Sequence, residues 1–163
     1  MKTIFDTETI IAARTSNMYL AQGIGAVIAA FMMAYLSSAN KSNLLLWGQI
    51  LFIVPVTLLG LITNLNIVYV LLAFIGWGTV TQLITMNTMI QIRVPNQLRG
   101  RVFSIYFWGL QGVAPFGSIV IGWMAQTWSV RASLVTGGLV CLLSIFLVRF
   151  FFKKKGEDTL NAK

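Results

Sequence analysis

The stretch that decides the fold runs from Gln91 to Ala125 and reads QIRVPNQLRGRVFSIYFWGLQGVAPFGSIVIGWMA. Its first 11 residues hold three arginines, a proline and a glycine, and the next 24 hold no charged side chain. Such a cluster is typical either of a basic clamp for phosphate or nucleic acid, or of a short loop at one surface of a membrane. The composition of the rest of the chain decides between them.

The chain is too apolar and too sparsely charged for a soluble domain. Of its 163 residues, 57% are hydrophobic and 10% are charged, and the mean hydropathy is +0.81. A soluble domain carries roughly 25% charged residues. The net charge of +8 sits in short gaps between apolar runs and not across one exposed face, which predicts no nucleic-acid partner. The sequence therefore predicts an all-α membrane protein in contact with the lipid bilayer.

Five apolar runs are long enough to cross a bilayer, since a span needs about 20 residues at about 1.5 Å each. The predicted organisation is an N-terminal segment at 1–16, a five-helix transmembrane bundle at 17–152 and a polar tail at 153–163. The spans are expected near Asn17–Leu36, Leu44–Ile62, Ile67–Gln91, Val102–Ala125 and Ala132–Phe152.

The distribution of cations predicts the orientation. With the C-terminus in the cytoplasm, nine cations face that side, Lys41, Arg93, Arg99, Arg101, Arg149, Lys153, Lys154, Lys155 and Lys163. Three face the other side, Lys2, Arg14 and Arg131. This positive-inside bias predicts a cytoplasmic tail and an extracytoplasmic N-terminal segment. An odd number of spans without a signal peptide indicates the C-terminal piece of something larger.

The arginine cluster is therefore interpreted as a topogenic cytoplasmic loop between the third and fourth spans. Arg99 and Arg101 are expected to hold these spans in register, beside Arg93. Pro95 is expected to open the fourth helix, because its missing N–H is unpaired there anyway. Gly100 is expected to let the chain bend between the two arginines.

The spans lack the groups that membrane catalysis needs. All four acidic residues lie outside them, and the chain has no histidine. Intramembrane proteases, proton relays and metal sites depend on such side chains within the bilayer. The sequence therefore predicts no enzyme, no metal site and no cofactor.

The third span carries the most polar stripe. At about 100° per residue, one face presents Gly78, Thr81, Thr85 and Thr88, flanked by Gln82 and Gln91. Threonines of membrane helices often bond their own carbonyls and pack against neighbours. A polar cavity and plain helix packing both remain open for this stripe. The first span has a small-residue stripe predicted to be a packing face, formed by Gly23, Ala26, Ala30 and Ala34.

The fourth span has a seam of mostly small or polar residues, defined by Ser104, Trp108, Gln111, Pro115, Ser118, Gly122 and Ala125. Pro115 removes a backbone donor and leaves a carbonyl to be satisfied. Gly112 and Gly117 permit close helix contact or bending. Close packing and a substrate surface are both open readings. The candidate substrate-binding residues of the two spans are Gln82, Thr85, Gln111 and Ser118.

Two segments, NTMIQIRVPNQLRGRVFSIY at 87–106 and GLQGVAPFGSIVIG at 109–122, resemble a known family. They are similar to the C-terminal half of major facilitator superfamily transporters, in the enterobactin-exporter-like and macrolide-efflux-like branch. The matching positions are Asn87, Gln91, Val94, Pro95, Arg99, Gly100, Arg101, Val102, Gly112, Pro115, Gly117 and Gly122.

The resemblance covers nearly the whole chain, which would correspond to helices eight to twelve of twelve. It implies that the first, third and fourth spans line a central cavity while the second and last lie outside. The loop from Tyr35 to Asn43 departs from the family's Gly…Asp…Arg gating motif, because only Lys41 is basic there and Ser38 stands where an acid is expected.

The sequence thus predicts a fragment of a secondary transporter in the bacterial inner membrane. The expected cargo is an amphipathic small molecule of the drug or siderophore type, exported from the cell. The expected partner is the missing N-terminal half of the transporter or a partner chain. The alternative is a self-contained small membrane scaffold or assembly subunit without transport activity.

Overall fold

The computed structural model describes the backbone of residues 2–36 and 40–161, and the side chains of residues 8–36 and 40–149. The described backbone forms five helices joined by short connections. In chain order they are α1 (Lys2–Tyr35), α2 (Lys41–Leu59), α3 (Leu65–Arg93), α4 (Asn96–Thr127) and α5 (Val130–Asn161). The predicted all-α class is confirmed.

Each helix contains a segment long and apolar enough to cross a membrane. These candidate spans are Glu8–Tyr35, Lys41–Leu59, Leu65–Arg93, Asn96–Thr127 and Val130–Arg149. Their number confirms the sequence prediction. Helices α3, α4 and α5 extend beyond the predicted boundaries at both ends, and α1 and α2 do so only at their N-terminal ends, since α2 stops at Leu59 and not at Ile62. Hydropathy reports where a helix enters the bilayer, whereas its backbone hydrogen bonds continue into the flanking polar residues.

Side-chain caps and a proline set the helix ends. The Asn40 side chain accepts a hydrogen bond from the Ser42 backbone N–H at 3.0 Å, and Asn64 caps α3 in the same way. Helix α3 ends at Arg93 because Val94 precedes Pro95 and is held in an extended conformation. Pro95 is the N-cap of α4, one position before the helix begins.

Helix α3 is the centre of the bundle. It packs along α1 and along α2, while α5 packs on α2 and α4 packs on α5. Helix α4 meets α3 only slightly. Among residues 8–36 and 40–149 the buried apolar side chains are few, as expected where lipid covers the outer surface. They are Ala29, Met33, Ile53, Leu71 and Ile75.

Glycines allow α3 to approach its two neighbours closely. Gly76 lies against the backbone of Gln22 on α1. A Cβ added to Gly78 would lie 2.6 Å from the Phe52 nitrogen and 2.8 Å from the Gly48 carbonyl oxygen, both on α2. Lipid tails are as apolar as the helix side chains, so association in a bilayer depends on this kind of contact. Only a residue without a side chain fits at these positions.

Three of the four residues in the predicted packing face of α1 are not covered by the described part of the chain. A Cβ added to Gly23 would meet nothing within 4 Å, and Ala30 and Ala34 are exposed. The face that meets α3 carries Gly25 and Ala29, with Gly25 against the backbone of Ala73. Small residues occupy two adjacent stripes of this helix, and spacing alone does not say which stripe the partner helix covers.

The glycines of α4 make no close helix contact within the described part of the chain. An added Cβ at Gly117 would meet nothing within 4 Å, and one at Gly112 would meet only Trp108 of the same helix. Gly100 lies inside α4 with a helical backbone, so the predicted bend there is wrong. The chain turns at Val94 and Pro95 instead, which leaves Gly100 free to continue the helix.

We expect Gly78→Val to lower the free energy of unfolding by about 1–3 kcal/mol, because the added methyl groups overpack the contact between α3 and α2. Gly117→Ala is the matched control and should leave stability unchanged or raise it, since open space surrounds Gly117 and alanine favours a helix. Thermal unfolding in detergent, followed by circular dichroism, measures both. Equal melting temperatures for the two variants would contradict the proposed close approach.

Candidate transport surface

The polar stripe of α3 is largely enclosed between helices. Thr81 is 4% exposed and Thr85 is fully buried. Neither hydroxyl has a hydrogen-bond partner among the described residues. Thr88 is half-buried and donates to the Ile84 carbonyl at 2.8 Å. Of the two readings left open for this stripe, its burial favours helix packing at Thr81 and Thr85.

Gln82 lies at the junction of three helices. Its Nε2 donates to the Gly48 carbonyl of α2 at 3.1 Å, which links α3 to α2 beside the close approach at Gly78. The same side chain borders a cavity of about 280 Å³ between α2, α3 and α4. The polar groups that share this cavity are Gln49, Thr79 and Tyr106. Gln82 therefore combines a structural hydrogen bond with access to a small polar space.

The seam of α4 lies open. No residue of α4 is buried, and six of the seven seam residues are exposed, with Ala125 half-buried. The Ser118 hydroxyl donates to the Pro115 carbonyl at 2.7 Å, and the Ser104 hydroxyl donates to the Gly100 carbonyl at 2.9 Å. Gln111 projects from the middle of this exposed seam.

The structure does not gather the four candidate substrate residues into one cavity. Gln82 borders the space between α2, α3 and α4, Thr85 is enclosed, and Gln111 and Ser118 lie on the open seam. Their role in substrate binding stays a prediction. The tryptophans of a second cavity did not stand out in the sequence. This apolar cavity of about 350 Å³ lies between α1, α2 and α3, with Trp47 and Trp77 in its wall.

Arg99 supplies a donor that Pro95 lacks. In a continuing helix the Gln91 carbonyl accepts from the N–H of residue 95, but that residue is a proline. The Arg99 Nη2 donates to the Gln91 carbonyl oxygen at 2.9 Å. The start of α4 is thereby tied to the end of α3. Counting four residues back from Pro95 identifies the carbonyl, but the sequence does not identify its donor.

The three arginines of the cluster differ in their surroundings. Arg99 is half-buried, and its Nε has no partner among the described residues. Asn87 Oδ1, one turn before Gln91 on α3, is also buried and unpaired there. Arg93 and Arg101 are exposed. The contact between helices is therefore made by Arg99, and the expectation that Arg101 shares it stays a prediction.

Five apolar, membrane-length helices with charges at their ends define a polytopic helical membrane protein. The family model of the Major Facilitator Superfamily matches residues 4–163, and the chain belongs to this superfamily. Its members are transporters and not enzymes, as the sequence predicted. The chain matched no curated protein and no solved structure. The exporter branch and the assignment to helices eight to twelve stay predictions.

The gating motif that the resemblance places in the first connection stays a prediction as well. Ser38, at which an acid was expected, lies outside the described residues. Lys41 is the first residue of α2.

We expect Arg99→Gln to destabilise the junction between α3 and α4 by about 1 kcal/mol, because the Gln91 carbonyl loses its charged donor. Arg101→Gln removes the same charge from an exposed position two residues away and is the matched control. Amide hydrogen exchange of peptides covering residues 88–98 measures the local opening. Faster exchange in the Arg99 variant alone is the expected result, and equal exchange in both variants would assign the effect to net charge.

Proposed function

We propose that this chain forms one helix bundle of a secondary active transporter that exports amphipathic small molecules. Membership of the superfamily supports transport as the activity. The observation that carries the more specific proposal is the open seam of α4, which exposes Gln111 and Ser118 in the middle of a membrane-length helix. Polar side chains are costly against hydrocarbon and face protein or water instead.

A second helix bundle is the proposed cover for this seam. Transport pathways of such carriers lie between two bundles, near the middle of the membrane. Helix α4 has α5 on one side and little contact with α3, so the seam is free to face the pathway. The second bundle is proposed to be the N-terminal half of the transporter or a partner chain. A scaffold without transport activity would use the same seam only to pack against its partner.

The chemistry of the seam supports an amphipathic substrate. The Ser104 and Ser118 hydroxyls donate to carbonyls of their own helix, so their oxygens remain available as acceptors. The Gln111 carboxamide provides both donors and an acceptor. The Gln111 backbone carbonyl also lacks its helical donor, because residue 115 is a proline. A few uncharged polar groups beside the Trp108 ring suit a largely apolar cargo.

A cytoplasmic position is proposed for the basic end of the bundle. Lys41 and Arg93 border one cavity there, and Arg99 bonds the last turn of α3. The opposite end carries Arg131, in the first turn of α5. This asymmetry supports the bacterial inner membrane as the location, with the C-terminus inside.

We expect single cysteines at Asn66 and Ser129 to react with a membrane-impermeant thiol reagent in intact cells, because both positions lie at the end with fewer cations. Cysteines at Ser42 and Asn96, at the basic end, should react only after the membrane is opened. The background is Cys141→Ala, since Cys141 is exposed. The reverse labelling pattern would overturn the proposed orientation.

The proposed pathway is tested by Gln111→Leu in cells that export a panel of fluorescent amphipathic cations and neutral dyes. We expect the relative export rates of the panel to change several-fold while the amount of protein in the membrane stays constant, because the seam loses its main hydrogen-bonding group. Gln126→Leu, in the last turn of α4 and outside the seam, is the matched control and should leave the rates unchanged.

Two outcomes would contradict this proposal. Export of every dye at the wild-type rate by the Gln111 variant would assign the seam to packing. If the wild-type protein exports no dye saturably while it binds its partner bundle, the scaffold alternative is favoured.

A further inference from the structure

A groove of about 620 Å³ lies between α2 and α5, and no residue of α4 lines it. Its walls are formed by four aliphatic side chains and its remaining lining is polar, with one cation. The lining residues are Leu45, Leu46, Ile145 and Val148, together with Ser42, Gln49, Ser144 and Arg149. The groove is therefore amphipathic, and its lining among the described residues includes no acidic side chain.

The polar end of this groove belongs to a cluster of cations. Ser42, which borders the groove, also borders a neighbouring cavity of about 210 Å³ whose lining includes Lys41 and Arg93. Arg149 therefore lies at the same end of the bundle as these two cations. The α2 backbone also begins there, and the N-terminus of a helix attracts negative charge. In the part of the chain whose side chains are described, the groups that line these two cavities beside Arg149 are basic or uncharged.

The other surface of α5 is suited to lipid. Leu143 and Phe146 are 60% and 68% exposed, and Leu139, Val140 and Leu147 continue this apolar surface. Arg149 follows directly after Val148, at the end of the candidate span. A long cationic side chain at this depth extends its charge toward the headgroups while its stem stays in the apolar layer. The groove thus opens beside a surface that acyl chains cover.

We infer that the groove between α2 and α5 binds one anionic phospholipid. One acyl chain lies between the aliphatic walls, and the phosphate meets the Arg149 guanidinium beside Ser42. Basic pockets between membrane helices recognise anionic headgroups in this manner, and the planar guanidinium offers paired donors to phosphate oxygens. The inference depends on the membrane-spanning bundle and is independent of the proposed transport.

Several features favour a lipid over a transported substrate as the occupant. The groove is lined by α2 and α5, and neither Gln111 nor Ser118 borders it. The Ser144 hydroxyl donates to the Cys141 carbonyl at 2.8 Å, which leaves few donors along the apolar walls. Arg149, the charged group among the described lining residues, sits at one end of the groove, where a phospholipid carries its phosphate. A phospholipid has its charge at one end and its apolar chains at the other, which matches this lining. A transported substrate does not require that arrangement.

Native mass spectrometry of the full chain released from detergent tests the headgroup. The probes are dioleoyl phosphatidylglycerol and dioleoyl phosphatidylcholine, which carry the same acyl chains. We expect the wild-type protein to retain one phosphatidylglycerol in preference to phosphatidylcholine, and Arg149→Gln to reduce that preference about fivefold, the effect of one cation near an anionic headgroup. Arg131→Gln, on the same helix at the opposite end, should keep the preference.

A second pair of variants tests the acyl chain. Val148→Trp fills the groove from an exposed position and should reduce the retention of both lipids. Val140→Trp, also exposed on α5 but outside the groove, should not. Equal retention by these two variants would overturn the inference. So would an unchanged headgroup preference in the Arg149 variant, or an equal loss in the Arg131 variant, because the preference would then reflect general surface charge.

Discussion

The close approach of α3 to α1 and α2 is the contact on which the bundle depends. In a bilayer the hydrophobic effect does not drive helices together, because lipid tails are as apolar as the side chains. Helices associate instead where their backbones come near enough for many van der Waals contacts. Gly76 and Gly78 provide that approach on two sides of α3, toward Gln22 and toward Gly48. The Gln82 hydrogen bond to Gly48 forms only because these backbones are close. Helix α5 then packs on α2, and α4 packs on α5.

Prolines shape the polar chemistry of this protein by removing backbone donors. Pro95 leaves the Gln91 carbonyl without its helical partner, and Arg99 provides a donor from the next helix. This bond couples two helices that otherwise touch little. Pro115 removes the helical donor of the Gln111 carbonyl in the same way, but Gln111 is exposed among the described residues. The missing backbone donor therefore has two consequences. At Pro95 the freed Gln91 carbonyl accepts a hydrogen bond that connects α3 to α4, and at Pro115 the freed Gln111 carbonyl lies on the exposed seam.

The outer surface of the bundle has two regions with different proposed covers. The α4 seam is polar along the middle of its helix, where hydrocarbon is a poor neighbour, and it is assigned to a transport pathway and a second bundle. The groove between α2 and α5 combines aliphatic walls with a few uncharged polar groups and a cation at one end, and it is assigned to an anionic phospholipid. The two assignments follow from where the polar groups sit relative to the depth of the membrane.

The sequence by itself determined the class of the protein, the number of helices and the clustering of cations at their ends. These properties follow from local composition, because about 20 apolar residues span a bilayer whatever they pack against. The superfamily was also evident from the segments around Pro95 and Pro115. The partner of Arg99 was not predictable from the sequence, since it depends on how α4 leaves α3.

Only the tertiary structure decided which helix faces are covered. It showed that Gly25 and Ala29, and not Gly23 and Ala30, meet α3, and that Thr85 is enclosed while Gln111 is exposed. In a soluble protein the apolar stripe marks the buried face of a helix. A membrane helix is apolar toward lipid and toward protein alike, so hydropathy does not distinguish its two sides. Which face of a membrane helix is buried depends on how closely its backbone approaches helices that are distant in sequence. A local sequence pattern does not contain that information.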